Sequence, residues 1–331
     1  MRNPFRIVAM FLVTAISSPG QTPPDTSPHK VQFIEVEKGV SLEVLDWGGQ
    51  GRPLVFLAGL GRTAHDFDRF ALKFTARHHV YGITRRGYGN SSKPAPIEAN
   101  YSADRLGDDV LAVIDALKLD KPFVAGHSMA GEELSSIDER HPELVSGLIY
   151  LDAAGGHAFY DPAHSSVVVD LNDLRRRLDR WDYVADAAED RAQATGVLQS
   201  NDLVLLQKAL QDHLRDLDSL PPAQQGLPRA ARPPELAIPN AIFLGERKFA
   251  SLSGNILAVF AVPHDFACSP TPEAKAEAQA DTASQSAQAD AFQAAVPAAR
   301  VVRLRCASHF VWRTHEAQVA REMNAFMDRT K

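Results

Sequence analysis

The stretch PFVAGHSMAGEEL, residues 122–134, decides how the chain is read. PFVA (122–125) is a short apolar run of the kind a buried strand needs, and Glu132, Leu134 and Ile137 open a helical pattern soon after it. Ser128 therefore falls on a strand-to-helix turn, where the backbone is strained and closely packed and its neighbours must be small. Gly126 and Gly131 flank it, and Ala130 fills the slot where the pattern Gly-x-Ser-x-Gly has its second glycine. In that setting Ser128 is a candidate nucleophile; the alternative is an ordinary N-cap serine.

Outward from this segment the pattern repeats. VQFIEV (31–36) and SLEVLD (41–46) alternate apolar and polar residues around Glu37-Lys38-Gly39, which predicts a hairpin with one solvated face. PLVFLA (53–58), VYGIT (80–84), GLIYL (147–151), ILAVFAV (256–262) and VVRL (301–304) are nearly continuous apolar runs, as parallel strands covered on both faces require. Helical periods lie between them: Phe67, Phe70, Ala71 and Phe74; Leu106, Val110, Val113 and Leu117 behind a Ser102 N-cap; Val319, Met323 and Phe326 behind Thr314. Alternating strands and helices specify a doubly wound, mostly parallel α/β sheet.

The alternation stops between about 155 and 250, where Leu171–Trp181 and Asp202–Leu217 favour helix and a Pro-rich run follows. This predicts an inserted helical cap over 155–250, between core segments 31–154 and 251–331. Phe159, Tyr160, Trp181 and Tyr183 are its candidate pocket residues, although such residues more often serve as core. Residues 272–294 predict an exposed helix leading into the last strand.

A serine hydroxyl is a poor nucleophile near neutral pH unless a base takes its proton and an acid orients that base. Of the twelve histidines, His309 lies just past the last strand and before the final helix, the place for the base when the chain order is Ser, acid, His. His127 reads as the variable residue of the turn, and His264 as a neighbour of the acid. Asp265 follows the strand ILAVFAV and is the first choice for that acid; Asp152, directly after GLIYL, stays open as the alternative. The Met129 N–H, at the helix start, and the Leu60 N–H, between Gly59 and Gly61, are candidate donors to a developing oxyanion. The loop at 58–61 also reads as a plain glycine-rich turn.

Length and composition set bounds. The chain has 331 residues and a formal net charge of −6, with no basic window interleaved with aromatics, so nucleic acid is not an expected partner. Arg2 and Arg6 precede an apolar run from Ile7 to Ile16 and small residues at 17–20, the layout of a signal peptide. Residues 1–20 are therefore set apart as a leader, with an uncleaved tethering helix as the alternative, and 21–30 as a disordered lead-in. Export to the periplasm or outside the cell is the expectation, without a stable membrane anchor. Removing Arg2 and Arg6 leaves −8. No CxxC, HExxH, Walker loop or dinucleotide fingerprint occurs, so neither a metal nor another cofactor is expected.

With these residues placed, the chain resembles the α/β-hydrolase family over roughly residues 31–329. FLAGLGRTAHDF, ITRRGYGNSSKP, FVAGHSMAGEEL and CASHFVWRTHEAQV carry the resemblance. It implies Ser128 as nucleophile, His309 as base and Asp265 as acid, with Leu60 and Met129 at the oxyanion hole. Ala58 stands where relatives often have His, and Ala130 where they usually have Gly. Haloalkane dehalogenases and epoxide hydrolases of this family use an Asp nucleophile, so Ser128 favours acyl chemistry on a small-molecule ester. Carbon-carbon bond hydrolysis, amide or aminopeptide cleavage, perhydrolysis and a non-catalytic binding role are the alternatives. Arg85 and Arg86, in the second segment, read as structural turn residues. Cys268 lies three residues past Asp265 and Cys306 three before His309; if the triad brings those loops together, the two sulfurs either pair or remain buried thiols.

Overall fold

Strands of consecutive apolar residues satisfy their polar backbone in a sheet and bury side chains on both faces. In the computed structural model, which describes residues 28–161, 167–179, 186–199, 202–218, 237–272 and 274–330, eight strands form one sheet, the inner strands buried on both faces and the edge strand β1 largely exposed. They are β1 (Lys30–Glu37), β2 (Val40–Gly48), β3 (Leu54–Leu57), β4 (Val80–Ile83), β5 (Phe123–His127), β6 (Gly147–Leu151), β7 (Ile256–Ala261) and β8 (Arg300–Leu304). Their order is β1-β2-β4-β3-β5-β6-β7-β8. β2 pairs antiparallel with both β1 and β4, and β3 to β8 are mutually parallel. Lys30, expected in the lead-in, already belongs to β1. The leader and residues 21–27 lie outside the described residues.

Alternate residues of each central strand face opposite cores. Val55, Val124, Leu148, Tyr150, Ala258 and Phe260 enter one; Leu54, Phe56, Phe123, Ile149, Leu257 and Val259 enter the other. The first core is closed by α1 (Ala103–Ala116), α2 (Ala130–Arg140) and α7 (Lys275–Ala295), the second by helical turns over 64–71 and by α8 (Glu316–Arg329). Phe67, Phe70 and Phe74 all pack on Phe56, as their spacing implies. Ser102 caps α1 by accepting from the Arg105 N–H. The N-cap of α8, however, is His315 rather than Thr314, whose hydroxyl accepts the Ser308 N–H. Thr314 thus ties the loop carrying His309 to the last helix.

Between β6 and β7 lie α3 (Val167–Asp179), α4 (Ala187–Gln199), α5 (Asp202–Asp218) and α6 (Ala237–Gly245). Pro239 falls within the first turn of α6, where its missing N–H costs no helical bond. Phe159 is core, packed edge-on against Phe292, and the Tyr160 hydroxyl donates to Asp170. Trp181 and Tyr183 lie outside the described residues. Among the described residues no helix is long and apolar enough to cross a membrane.

Two acidic side chains are buried at the seam where α6 returns toward α1 and α2. Glu132 is fully buried with neither carboxylate oxygen hydrogen-bonded among the described residues. Burial, then the nearby Glu246, pushes its pKa well up. Burial likewise raises Glu246 to about 8, against the attraction of Arg176. A buried acid that stays protonated while the unfolded chain ionises loses stability as pH rises from its ordinary value to its folded one. Glu246→Gln is therefore expected to raise Tm by several degrees at pH 8 and little at pH 4, a difference that thermal unfolding at the two pH values measures.

Candidate active site

The C-terminal ends of parallel strands gather loops on one edge of the sheet, the usual place for a site in such folds. Ser128 follows β5 directly with φ of +53°, a left-handed conformation that a serine adopts only when its surroundings compel it. The packing explains the pressure. A side chain at Gly131 would lie 1.9 Å from the Ala153 carbonyl oxygen, so α2 is pressed against the loop that follows β6. The methyl of Ala130, by contrast, fits over Gly126, where an added Cβ would meet it at 3.0 Å. Gly131 is the glycine this turn needs, and Ala130 is accommodated without cost.

The loop after β3 crosses over the same turn. A Cβ at Gly59 would meet His127 Nδ1 at 2.9 Å and Ser128 Cβ at 3.2 Å, so only glycine lets the backbone pass this close. Arg85, buried and paired with Glu133 of α2, donates to the Ala58 and Gly59 carbonyls at 3.1 and 3.3 Å. Arg86 is likewise buried, on Asp109 and Glu37. Both arginines are structural. Arg85 turns the loop's carbonyls away toward α2, and neither the Leu60 nor the Met129 N–H donates to an acceptor among the described residues.

His309, in the loop after β8, places Nδ1 2.7 Å from Asp152 Oδ2. Its carbonyl accepts from His127 Nε2 at 3.0 Å, and the two rings lie 4.5 Å apart, which brings His309 beside the residue preceding Ser128. Burial pushes the His127 pKa well down, so it serves as a neutral donor. Asp152, also in left-handed backbone at φ +49°, ends β6. Its Oδ1 accepts the Ala261 N–H at 2.9 Å, and its Oδ2 is shared between His309 and His264 Nε2, the latter at 2.9 Å. Burial alone would raise this carboxyl, but the hydrogen bonds to His264 and His309 hold it well below the usual carboxylate range.

Asp265, the first-choice acid of the sequence, is not on His309. Among the described residues its exposed side chain accepts only its neighbour's Phe266 N–H, while its own N–H bonds Ala307 O. The reason is local. Val262, Pro263 and His264 intervene after β7, His264 takes the inward position, and a short helix over 265–268 then carries Asp265 to the surface. Asp152 follows its strand with no intervening residue, and that adjacency was the available signal.

Cys268 and Cys306 are joined by a disulfide, with Cα atoms 5.8 Å apart. The bond ties the loops of His264 and His309, which also meet through Cys306 N–H to Pro263 O and a bridge between His264 and Ala307. His157, which the sequence reading passed over, donates from Nε2 to the Ser128 carbonyl at 2.9 Å, and burial lowers its pKa. Nothing in the local sequence around His157 marks it.

Asp152, His264 and His309 form one of two groups among the described residues with three metal-compatible atoms within 4.8 Å; the other is His29, His65 and Asp68. In the first group direct hydrogen bonds of 2.7–2.9 Å already satisfy these atoms. In the second, Asp68 accepts from Trp47 Nε1 and pairs with His65.

The family described as alpha/beta hydrolase fold matches residues 52–312, and the chain belongs to it. Its sheet order and strand-to-helix serine agree with that assignment. Among curated relatives, Epoxide hydrolase 1 of Caenorhabditis elegans is 34% identical over 120 residues, 36% of this chain and 29% of that protein. The 2-hydroxymuconate semialdehyde hydrolase of Pseudomonas sp. (strain CF600) is 30% identical over 135 residues, 40% of this chain and 46% of that protein. The chain thus matches less than half the length of these relatives. A solved structure described as Est816, an N-acyl homoserine lactone degrading enzyme, aligns with TM-score 0.53 and 22% identity over 89% of this chain and all of that one, a likeness of fold.

Two outcomes follow from this packing. Gly131→Ala should destabilise by about 1–3 kcal/mol or more, because the methyl drives into the Ala153 backbone, whereas Ala130→Gly should cost under about 1 kcal/mol; denaturant unfolding of both variants compares them. Thiol titration of unfolded, unreduced protein should find no free thiol.

Proposed function

We propose that the protein is an exported serine hydrolase acting on carboxylic esters of small molecules through an acyl-enzyme on Ser128. One observation carries the reading: Ser128 stands in strained left-handed backbone at a strand-to-helix turn, and the residue before it, His127, packs on a histidine, His309, whose Nδ1 is held by a buried carboxylate. With Nδ1–H given to Asp152, the lone pair of His309 resides on Nε2, the tautomer a general base requires. His309 takes the Ser128 proton as Oγ attacks the ester carbonyl, and the N–H groups of Leu60 and Met129 bind the oxyanion. Collapse expels the alcohol, which leaves with the proton from His309. Water, deprotonated by His309, then cleaves the acyl-enzyme and frees Ser128. The disulfide and the leader-like first twenty residues support export, since such bonds persist in oxidising compartments.

Ser128 weighs against epoxide opening and dehalogenation, which in the resembling family members use an Asp at this position. An apolar cluster of Met129, Leu60, Tyr88, Ile238 and Ile242 beside the oxyanion donors favours an apolar acyl or alcohol group. Carbon-carbon bond hydrolysis is the second reading. The similarity to the semialdehyde hydrolase favours it, and the same three side chains would serve it.

Nitrophenyl esters of graded acyl length, set beside a vinylogous diketone, separate the two. Turnover of the esters supports the first reading; turnover of the diketone alone replaces it with the second. On the preferred substrate Ser128→Ala should abolish activity and Asp152→Asn should lower kcat by about 10³–10⁴-fold, while Asp265→Asn should stay within about threefold of the parent. A large loss in Asp265→Asn with Asp152→Asn unaffected would reverse the acid assignment.

A further inference from the structure

Behind Asp152 the hydrogen-bonded chain continues. His264 donates from Nε2 to Asp152 Oδ2 at 2.9 Å, and its Nδ1 lies 2.8 Å from Oδ1 of Asp281 on α7. The Asp281 carboxylate is fully buried, and its Oδ2 accepts the His264 backbone N–H at 3.0 Å. A neutral imidazole has one N–H, whereas an ionised carboxylate only accepts. An imidazole with a carboxylate oxygen at each nitrogen satisfies both bonds only as the imidazolium.

We propose that His264 and Asp281 are positioning residues that extend the Ser128–His309–Asp152 array, His264 being a resident cation that moderates how strongly Asp152 acts on His309. This rests on the function proposed above. Burial alone would lower the His264 pKa, but its hydrogen bonds to Asp152 and Asp281 raise it to about 10, consistent with a cation at neutral pH. Its ring centroid is 6.0 Å from that of His309, and the disulfide with the His264–Ala307 bridge fixes that spacing. The groups facing His264 are Asp152 from β6, Asp281 from α7 and His309 from the loop after β8, with Phe266 stacked on its own segment. Those facing His309 are Asp152, His264, the neutral His127 and, from the loop after β6, His157, whose pKa burial also lowers. The buried trio carries one net negative charge, and each member that is neutralised changes the field at His309 in a definite direction.

Removing the cation leaves Asp152 free to favour protonated His309, whereas removing the Asp281 charge turns the array from net negative to neutral, with Asp152 alone balancing the cation, and so disfavours protonated His309. Accordingly, His264→Gln should move the acid limb of the kcat/KM profile up by about one pH unit and Asp281→Asn should move it down by a similar amount, the scale expected for a charge at this separation in protein surroundings. A purely structural role would lower kcat without moving the limb. Limbs that stay in place, or that move together, overturn the proposal. Nitrogen NMR of the His264 ring in Ser128→Ala protein needs neither turnover nor the folding of the His264 and Asp281 variants. Two protonated ring nitrogens at pH 8 are expected, and a neutral ring there overturns the proposal. If the parent protein turns over no ester or diketone, the proposed function fails on that result, and the NMR measurement still decides the charge of His264.

Discussion

The site depends on one buried carboxylate. Asp152 ends β6 in left-handed backbone, sends its N–H to the Val259 carbonyl at 2.7 Å and takes the Ala261 N–H on Oδ1. Those two bonds make it part of the β6–β7 ladder, so it is as rigid as the sheet. Its other oxygen holds two imidazoles from two different loops. An unpaired charge at that depth would be costly, and the three hydrogen bonds it accepts, from Ala261, His264 and His309, compensate its lost hydration. The position of His309 is thereby set by the central sheet rather than by its own surface loop.

Several features make sense only as supports of that carboxylate and of the serine turn next to it. Gly131 lets α2 press on Ala153, the residue after Asp152, so the turn of Ser128 and the loop of Asp152 share one packing contact. Arg85, by joining Glu133 to the carbonyls of Ala58 and Gly59, sets the loop of Leu60 from the same helix. The disulfide does comparable work on the far side, where sheet pairing has ended and the loops of His264 and His309 would otherwise be joined only by a few backbone bonds.

Much of this was legible in the residues. All eight strands coincide with apolar or alternating runs, because burial on two faces leaves a local signature. The positions of Ser128 and His309 after strand ends were legible for the same reason, each standing a few residues past an apolar run. Which carboxylate meets His309 was not, because which strand-end loop turns inward depends on packing between β6, β7 and α7: Asp265 is carried outward by three intervening residues, and His264 occupies the space. The partnership of His264 with Asp281 joins residues on a loop and a helix whose sequence reads as polar and exposed. Helix α4 has no buried residue and α6 contains Pro239, so neither carried a helical stripe to read. The burial of Glu132 carried no local signal, since depth at that seam is set by a segment more than a hundred residues away.

Every role proposed for this site requires Ser128 to be the activated nucleophile. Reaction of the purified protein with a serine-reactive fluorophosphonate, followed by intact-mass and peptide mass spectrometry, tests this most directly. One adduct per chain on the peptide containing Ser128, formed rapidly in the parent and slowly in His309→Ala, is the predicted result. No adduct, an adduct on another serine, or labelling of Ser128 at the same rate without His309 would contradict it.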